Sequence, residues 1–385
     1  MKKIKKFNSK VIHGGHGSDP DTGAVMPPIH LSSTFKQKTP GDFKYEYSRA
    51  GNPTREILEK LLSEIEEGKY GFAFSSGLAA INCLVDAMEN NYHIICSDDV
   101  YGGTRRLFDK VKKENQNIEI SYVDLSKENN WKGLIKESTK MIWIETPSNP
   151  LLKIIDIEKI KSNILDTNIK IICDNTFASP YNQQPLILGA DAVVHSSTKY
   201  LGGHSDLIGG AIVVKDDEEF AERIKFLQNA IGSVPSPFDC YMLIRSIKTL
   251  AVRMEKHNNN GIEIANFLSK HSHINKTFYP GLQSHPNYES AKKQMNGFGG
   301  IVSIEINGDL NSTKKFLENI EIFTLAESLG GVESLIEHPS LMTHASIDKK
   351  IRDELGITDN LVRLSIGIED VEDLKKSLDN ALSSI

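Results

Sequence analysis

Two side chains that follow neighbouring apolar runs are an acid and an amine that could act together in one site. The run at 169–173 is followed by Asp174, and the run at 192–195 is followed by Ser196-Ser197-Thr198-Lys199. One βαβ unit separates the acid from the amine, so adjacent parallel strands would bring both to one crevice. In pyridoxal-phosphate chemistry a lysine amine forms a Schiff base with the cofactor, and an acid keeps the pyridine nitrogen protonated. The pair indicates that chemistry, although a turn aspartate and a surface lysine fit the spacing too.

A phosphate group of such a cofactor would find donors at two places. The segment 74–78 passes from a predicted strand through Ser-Ser-Gly into a predicted helix, whose free N–H groups and positive end attract an anion. Gly77 permits close approach of the backbone, and the hydroxyls of Ser196 and Thr198 flank Lys199. By itself the Ser-Ser-Gly segment is more often a plain helix cap.

Tyr101 is a candidate for stacking on the flat ring of the cofactor. It follows the apolar run at 94–96 by a few residues, at what is predicted to be the same edge of the sheet. The two following residues, Gly102 and Gly103, would let it approach closely. A single tyrosine in such a position is more often an ordinary loop residue.

The apolar runs before these residues predict the elements that position them. Each run is short and is followed by a loop and a helical pattern, which is typical of a mostly parallel sheet covered by helices on both faces. Ligands of such sheets bind beyond the carboxyl ends of the strands. The predicted strands are 71–74, 94–96, 118–123, 141–144, 169–173, 192–195 and 211–214.

The length of 385 residues predicts more than one domain. Residues 1–52 are rich in Gly, Pro, Ser and Thr and predict an extended N-terminal arm. We expect a large cofactor-binding domain over 53–252 and a smaller α+β domain over 253–385. The elements predicted in the smaller domain are strands at 301–306 and 361–366 and a final helix from Val371.

Composition and charge argue against several classes of function. A formal net charge of −6 is unfavourable for binding nucleic-acid phosphates. No apolar run approaches the length of about 20 residues that spans a bilayer, and the N-terminus lacks the apolar core of a signal peptide. We therefore expect a cytoplasmic protein that binds no membrane. The four cysteines lie far apart without metal-ligand spacing, which predicts reduced packing residues and no metal site.

Together, the motifs resemble the pyridoxal-phosphate enzymes of cysteine and methionine metabolism over nearly the whole chain. The resemblance implies an α/β fold of the fold-type I transferase class, and within the family it is strongest to the γ-lyases that act on cystathionine. The matching segments are Tyr45 to Arg49, Gly51 to Arg55, Ser75 to Gly77, Asp99 to Thr104, Glu145 to Pro150, Asp174 to Phe177, His195 to Lys199, Gly203 to Asp206, Thr324 to Ser334, Met342 to Ala345 and Val362 to Gly367.

The resemblance implies a role for each cofactor-binding residue. Lys199 would carry the cofactor and later shuttle protons, Asp174 would pair with the pyridine nitrogen, and Tyr101 would stack on the ring and assist catalysis. The residues expected at the phosphate are Gly77, Leu78, Ser196 and Thr198, with Tyr47 and Arg49 supplied by the neighbouring subunit. The N-terminal arm therefore implies at least a dimer, and the family's usual state is a tetramer built as a dimer of dimers.

The resemblance also implies how a sulfur amino acid would bind. Arg363 would hold the substrate carboxylate through a bidentate fork, for which lysine is a poor substitute. Ser328 and Asn149 would line the same site. Three charged residues are expected to meet the far half of cystathionine, or else to be solvated groups at the rim: Glu327 and Glu46 at its ammonium, and Arg106 at its carboxylate.

The implied reaction is α,γ-elimination of L-cystathionine to L-cysteine, 2-oxobutyrate and ammonia, with release of hydrogen sulfide from homocysteine or cysteine as a side activity. The γ-synthases, which also keep the segment 324–328, are the main alternative, although residues 228–239 resemble the lyases more. Gly103 stands where methionine γ-lyases are expected to carry a cysteine, which disfavours that activity. A non-catalytic protein that binds pyridoxal phosphate is the alternative from another class, and the intact Lys199 and Asp174 argue against it.

Overall fold

The computed structural model describes residues 6–88, 90–127, 130–164, 168–345 and 347–385, and its larger sheet has seven strands. Their order across the sheet is β1-β7-β6-β5-β4-β2-β3 when the strands are numbered along the chain. These strands are β1 Tyr70–Phe74, β2 His93–Ser97, β3 Glu119–Val123, β4 Thr139–Glu145, β5 Lys170–Asp174, β6 Ala192–Ser196 and β7 Gly210–Val214.

The larger sheet is mostly parallel, as predicted. Only β7 runs against its neighbours, since it pairs antiparallel with both β1 and β6. A sheet covered on both faces buries both sets of side chains, which is why its strands appear in the sequence as continuous apolar runs. Each predicted strand of this sheet is confirmed to within two residues at either end.

Helices cover both faces of the larger sheet and divide its core into two apolar clusters. Val193 belongs to one cluster and Val194 to the other, because successive side chains of β6 point to opposite faces. The α-helices of the described residues are α1 Phe7–His13, α2 Pro53–Ile65, α3 Gly77–Asp86, α4 Gly102–Leu107, α5 Lys113–Gln116, α6 Ile157–Asn163, α7 Ser179–Asn182, α8 Glu218–Leu227, α9 Pro237–Ile247, α10 Leu250–Leu268, α11 Tyr288–Gln294, α12 Leu310–Glu318, α13 Lys349–Leu355 and α14 Val371–Leu382.

A second sheet of five strands forms late in the chain. Its strands are β8 Ile274–Phe278, β9 Ile301–Ile306, β10 Thr324–Leu325, β11 Leu335–Glu337 and β12 Leu361–Ser365. They are arranged in the order β10-β11-β12-β9-β8, and only the β10–β11 pair is parallel. Helices α10 and α14 pack together beside this sheet and share its core. The predicted strands at 301–306 and 361–366 and the final helix are confirmed.

The N-terminal region before α2 is described from residue 6. Helix α1 buries Val11, while the segment from residue 14 to Asn52 has no further helix and forms only isolated bridges such as Thr34 with Tyr47. Asn52 starts α2 by accepting hydrogen bonds from the backbone N–H groups of Thr54 and Arg55. The domain boundary placed near residue 252 falls in the first turn of α10 and stays a prediction. Among the described residues, no helix is long and apolar enough to cross a membrane.

Candidate active site

A cavity of about 330 Å³ lies at the carboxyl ends of the strands of the larger sheet. Three strands end in residues that line it: β4 in Glu145, β5 in Asp174 and β6 in Ser196. Its volume is within the range of small-molecule sites. The predicted site residues that line it are Gly77, Leu78, Tyr101, Asn149, Asp174, Ser196, Thr198, Lys199, Glu327, Ser328 and Arg363.

Lys199 projects its amine into this cavity from the turn that follows β6. The turn is held by backbone hydrogen bonds from Lys199 N to Ser196 O at 3.2 Å and from Gly203 N to Lys199 O at 2.7 Å. The amine Nζ donates to Ser328 Oγ at 2.7 Å. Burial, and then the positive charge of Arg363, lower the pKa of Lys199 to about 8. An amine with this pKa is partly neutral near neutral pH and can act as a nucleophile or base.

Two buried carboxyl groups lie side by side below the amine. Glu145 and Asp174 are paired in register on β4 and β5. Asp174 Oδ1 accepts from Thr176 N at 3.0 Å, and Glu145 Oε2 accepts from Tyr101 N at 2.9 Å. Burial raises the pKa of both acids, and the charge of Asp174 raises that of Glu145 further. A positively charged group in the cavity would stabilise the ionised acid, so the pair fits a protonated pyridine nitrogen.

The first turn of α3 and the end of β6 together form a cradle for an anion. Ser76 caps α3 by accepting from Ala79 N at 3.0 Å, and the earlier amides of the helix have no intrahelical acceptor. A Cβ atom on Gly77 would lie 2.8 Å from Cβ and 3.1 Å from Oγ of Ser196, so only glycine leaves this space open. Thr198 Oγ1 bonds to the backbone of Gly209. Backbone donors, hydroxyls and a helix N-terminus fit a phosphate group.

Tyr101 lies at the mouth of the cavity with 40% of its surface exposed. Its backbone is fixed by Glu145, and its ring lies over Gly103, where a Cβ atom would be 2.3 Å from the ring atom Cε1. Burial is the largest of the causes that raise the pKa of the phenol. The ring is therefore positioned to contact a flat ligand, and its hydroxyl keeps its proton at neutral pH.

Arg363 lies on β12, only 2% exposed, and brings together three segments of the chain. Its Nη1 donates to Asn149 Oδ1 at 2.8 Å and pairs with Glu337 Oε1 at 2.9 Å, while Nη2 donates to Ser328 O at 2.8 Å. Its Nε is buried without a partner among the described residues. The predicted neighbourhood of Arg363, Asn149 and Ser328 is therefore present, with an additional carboxylate that the sequence did not indicate.

Four residues singled out in the sequence do not line the cavity. Glu46 and Arg106 are exposed, and Arg106 lies on α4. Tyr47 is 45% exposed, and the guanidinium of Arg49 lies 5.3 Å from the centre of its ring. Arg49 Nε donates to Asn229 at 3.3 Å. Within one chain these residues do not complete the site, and their expected roles stay predictions.

Several cavity residues escaped the sequence reasoning. Glu145 is the last residue of β4, as Asp174 is of β5, so the rule that led to Asp174 would have found it. Thr343 and Phe177 lie within matched motifs and line the cavity. Glu337 contacts Arg363 behind the cavity lining and carries no such signal, because its importance depends on its register with Arg363 across β11 and β12.

Comparison with known proteins gives the chain many relatives. Residues 8–383 match the family model of the Cys/Met metabolism PLP-dependent enzymes. Cystathionine β-lyase of Coxiella burnetii is 51% identical over 381 residues, covering 99% of this chain and 98% of the relative. Cystathionine γ-lyase of Dictyostelium discoideum is 49% identical over 379 residues, covering 98% and 97%. The solved structure of cystathionine γ-synthase from Xanthomonas oryzae, in complex with aminoacrylate and cysteine, matches with a TM-score of 0.96 and 40% identity over 99% of both chains.

Proposed function

Because the chain belongs to the pyridoxal-phosphate-dependent enzymes of cysteine and methionine metabolism, we propose that it is a cystathionine γ-lyase. The proposed reaction cleaves the Cγ–S bond of L-cystathionine to give L-cysteine, 2-oxobutyrate and ammonia. The fold is that of the fold-type I enzymes. The observation that supports the proposal most is the single cavity in which the Lys199 amine, the Asp174 carboxyl and the Arg363 guanidinium meet.

Residues of the cavity would hold pyridoxal phosphate from all sides. Lys199 would bind it covalently, Asp174 would pair with the ring nitrogen, and Tyr101 would cover one face. The phosphate would occupy the cradle at the start of α3, between Gly77 and Ser196. The bound cofactor withdraws the electrons that proton removal leaves on the substrate's α-carbon.

Lys199 would move the protons of the reaction. The pKa of about 8 leaves part of the amine neutral near pH 7.5, so Nζ can accept the α-proton of the substrate. Ser328 Oγ, which accepts a hydrogen bond from Nζ at 2.7 Å, orients the amine. Elimination toward the γ-position requires loss of a β-proton too, and the same amine would take it up after it has passed on the α-proton and is neutral again. The phenol of Tyr101 would hold its proton as a donor at the mouth of the cavity.

Side chains of opposite charge line the cavity and suit an extended amino acid. Arg363 is buried and would bind the carboxylate of the reacting half. Glu327 is exposed and would meet the distal ammonium. Glu46 precedes Tyr47 in the arm, so it would reach the substrate only in a neighbouring subunit's cavity. Arg106 would have to turn inward from α4 to meet the distal carboxylate of the substrate.

The names of the relatives define the competing activities. The relative from Coxiella burnetii is called a β-lyase, which makes cleavage of the Cβ–S bond of cystathionine the second candidate. The relative from Xanthomonas oryzae is called a γ-synthase, and γ-replacement on an O-acyl-homoserine is the third. Loss of a group from the γ-carbon is common to the γ-lyases and γ-synthases, and it needs a second proton transfer, which Lys199 would make.

A product assay separates these activities. The purified, cofactor-loaded protein is given L-cystathionine, O-acetylhomoserine with cysteine, L-homocysteine or L-methionine, and kcat/KM is compared. The proposal expects cystathionine to be the preferred substrate and 2-oxobutyrate with cysteine to be the products. Pyruvate with homocysteine would assign β-cleavage instead, and a higher efficiency with O-acetylhomoserine and cysteine would assign the synthase. If the cofactor-loaded protein turns over none of these four substrates, the remaining candidate is a protein that binds pyridoxal phosphate without catalysing a reaction.

A further inference from the structure

Arg363 is already extensively bonded within the protein. Four of its five N–H donors are on the two terminal nitrogens. Nη1 uses both of its donors, for Asn149 and for Glu337, and Nη2 uses one for the Ser328 carbonyl. The N–H group of Nε and the second N–H group of Nη2 are not used in these bonds. Nε is buried without a partner among the described residues. Side by side, these two donors form the edge that binds a carboxylate in bidentate fashion.

A carboxylate bound to that edge would be the second anion on one guanidinium. Glu337 is 1% exposed and its Oε1 lies 2.9 Å from Arg363 Nη1, whereas its Oε2 is buried without a partner among the described residues. One buried cation balances one carboxylate. A second carboxylate adds an uncompensated negative charge to a site that excludes water, and such a charge is neutralised by protonation.

We propose that Glu337 takes up one proton when a substrate carboxylate binds to Arg363, so that Glu337 is a positioning residue whose charge is exchanged for that of the substrate. The inference rests on the proposed role of Arg363 in binding the substrate's carboxylate. The proton adds to a Glu337 oxygen and comes from water. Arg363 keeps its charge throughout, because a guanidinium does not deprotonate in this pH range.

The surroundings of Glu337 favour this exchange. Its Oε1 also accepts a hydrogen bond from Thr343 Oγ1 at 3.0 Å, and Thr343 is half-buried and lines the cavity, so its hydroxyl connects Glu337 to the ligand site. Burial already raises the pKa of Glu337, and the negative charge of Glu327 raises it further, whereas Arg363, the hydrogen bond from Thr343 and Lys199 lower it.

His344 contributes no positive charge to this cluster near neutral pH. Its Nδ1 lies 2.9 Å from Thr343 Oγ1, and burial lowers the pKa of His344 to about 4. Of the acids that line the cavity, Glu327 is exposed to solvent, whereas Glu145 and Asp174 lie at the ends of β4 and β5. The proton is assigned to Glu337 because Glu337 is the carboxylate paired with the Arg363 guanidinium, and the Glu337→Gln variant separates this assignment from a proton on the Lys199 nitrogen or on another acid.

The experiment measures protons rather than turnover. Propionate serves as the probe, because it has a carboxylate but no amine to react with the cofactor. Saturating propionate, matched in pH, is added to the cofactor-loaded protein in weak buffer with a pH indicator, between pH 6.5 and 9. The expected result is uptake of about one proton per subunit at the pH of maximal effect. Over the same interval the dissociation constant of propionate, measured directly by equilibrium dialysis with labelled propionate, should rise about tenfold per pH unit.

Three variants identify the proton acceptor. Glu337→Gln should abolish the uptake and make propionate binding independent of pH, Glu327→Gln should retain the uptake, and Arg363→Ala should lose propionate binding. Uptake that persists in Glu337→Gln overturns the inference. If that variant fails to fold, the unmodified protein still provides a test, because a dissociation constant of propionate that does not change with pH would overturn the inference. Failure of propionate to bind to the unmodified protein would overturn it too. None of these readings depends on whether the enzyme is a lyase or a synthase, so a wrong choice of reaction would not affect the result.

Discussion

At the scale of single residues, the chemistry of the site depends on opposing charges around one amine. Burial and Arg363 lower the pKa of Lys199, whereas Glu337 and Glu327 raise it, and the balance is a value of about 8 instead of the ordinary 10.5. A lysine with that pKa is a usable base at physiological pH, which an exposed lysine is not. The residue that would bind the substrate and the residue that would move its protons are therefore electrostatically linked.

The pH dependence of turnover follows from that value. The active form of the base is the neutral amine, whose fraction increases with pH, so kcat for L-cystathionine should rise about tenfold per unit well below pH 8 and level off above it. The midpoint should lie near 8. Glu327→Gln removes a charge that raises the pKa of Lys199, so the midpoint of that variant should move to lower pH. A profile that is flat from pH 6 to 9, or a midpoint above 10, would show that Lys199 does not limit turnover as the base.

A second prediction concerns the contact below the ring of Tyr101. In Gly103→Ala the new Cβ would lie 2.3 Å from Cε1 of Tyr101, so the ring has to move away from its position over the cavity. Aromatic stacking contributes about 0.5–1.5 kcal/mol, so cofactor affinity should fall roughly three- to tenfold. Affinity is measured by titrating the apoprotein with pyridoxal phosphate. Gly133→Ala is the matched control, because nothing lies within 4 Å of the corresponding Cβ. Equal affinities of the two variants would contradict the proposed stacking.

Some site residues could be predicted from the sequence, and the reason others could not is physical. Asp174 and Lys199 follow runs that are apolar because both faces of their strands are buried. The sequence alone therefore predicts that these two residues lie at the ends of strands. Glu337 is different, since its role arises from pairing with Arg363 across two strands that are separated in the chain by a segment containing α13. A hydrophobic pattern contains no information about such a pairing.

At the scale of elements, the site depends on how closely α3 approaches β6. The first turn of the helix contacts the end of the strand at Gly77 and Ser196, where even one methyl group would be too large. The strand ends set the positions of the acid and the lysine, and this contact sets the position of the anion cradle relative to them. Residues that are far apart in the chain thus become parts of one binding surface.

That contact gives a third prediction. In Gly77→Ala the Cβ would lie 2.8 Å from Cβ of Ser196, so the helix must shift and its free amides must move away from the phosphate position. Hydrogen bonds to a charged group contribute about 1.5–3 kcal/mol each, so the dissociation constant for pyridoxal phosphate should increase about 10- to 100-fold. Overpacking of a buried contact costs about 1–3 kcal/mol, so the apoprotein should also melt at a lower temperature, and the two affinities are compared at a temperature where both proteins are folded. Unchanged affinity in the same titration would place the phosphate elsewhere.

The two sheets differ in how well the sequence predicts them. Every strand of the larger sheet was found, because burial on both faces makes each one an apolar run. In the smaller sheet, β10 and β11 have two and three residues, too few to show any period. β8, with the sequence Ile-Asn-Lys-Thr-Phe, is an edge strand with exposed polar side chains and was missed as well. Of these missed strands, β11 is a direct neighbour of β12 and pairs Glu337 with Arg363, whereas the other neighbour of β12, β9, was predicted.

At the scale of the whole molecule, the N-terminal arm is poorly covered by its own chain. Val25 is 82% exposed and Leu31 68% exposed, and Tyr47 and Arg49 lie outside the cavity. Apolar side chains exposed along an extended segment are typical of a surface that another subunit covers. This observation supports the proposal that the arm completes the cavity of a neighbouring subunit, in a dimer or a tetramer built from two dimers.

A test of that arrangement combines two inactive subunits. Lys199→Ala removes the base and Arg49→Ala removes the proposed phosphate contact, so each variant alone should have little activity at limiting cofactor. If Arg49 acts in the neighbour's cavity, a mixed dimer contains one cavity with both defects and one with neither. Random pairing after coexpression makes half of the dimers mixed, so about a quarter of the normal activity should return. Lys199→Ala coexpressed with Asp174→Ala is the control, and it should recover nothing, because both residues belong to the same cavity of one chain. Failure of the first pair to exceed this control would mean that the arm serves its own subunit or no site at all.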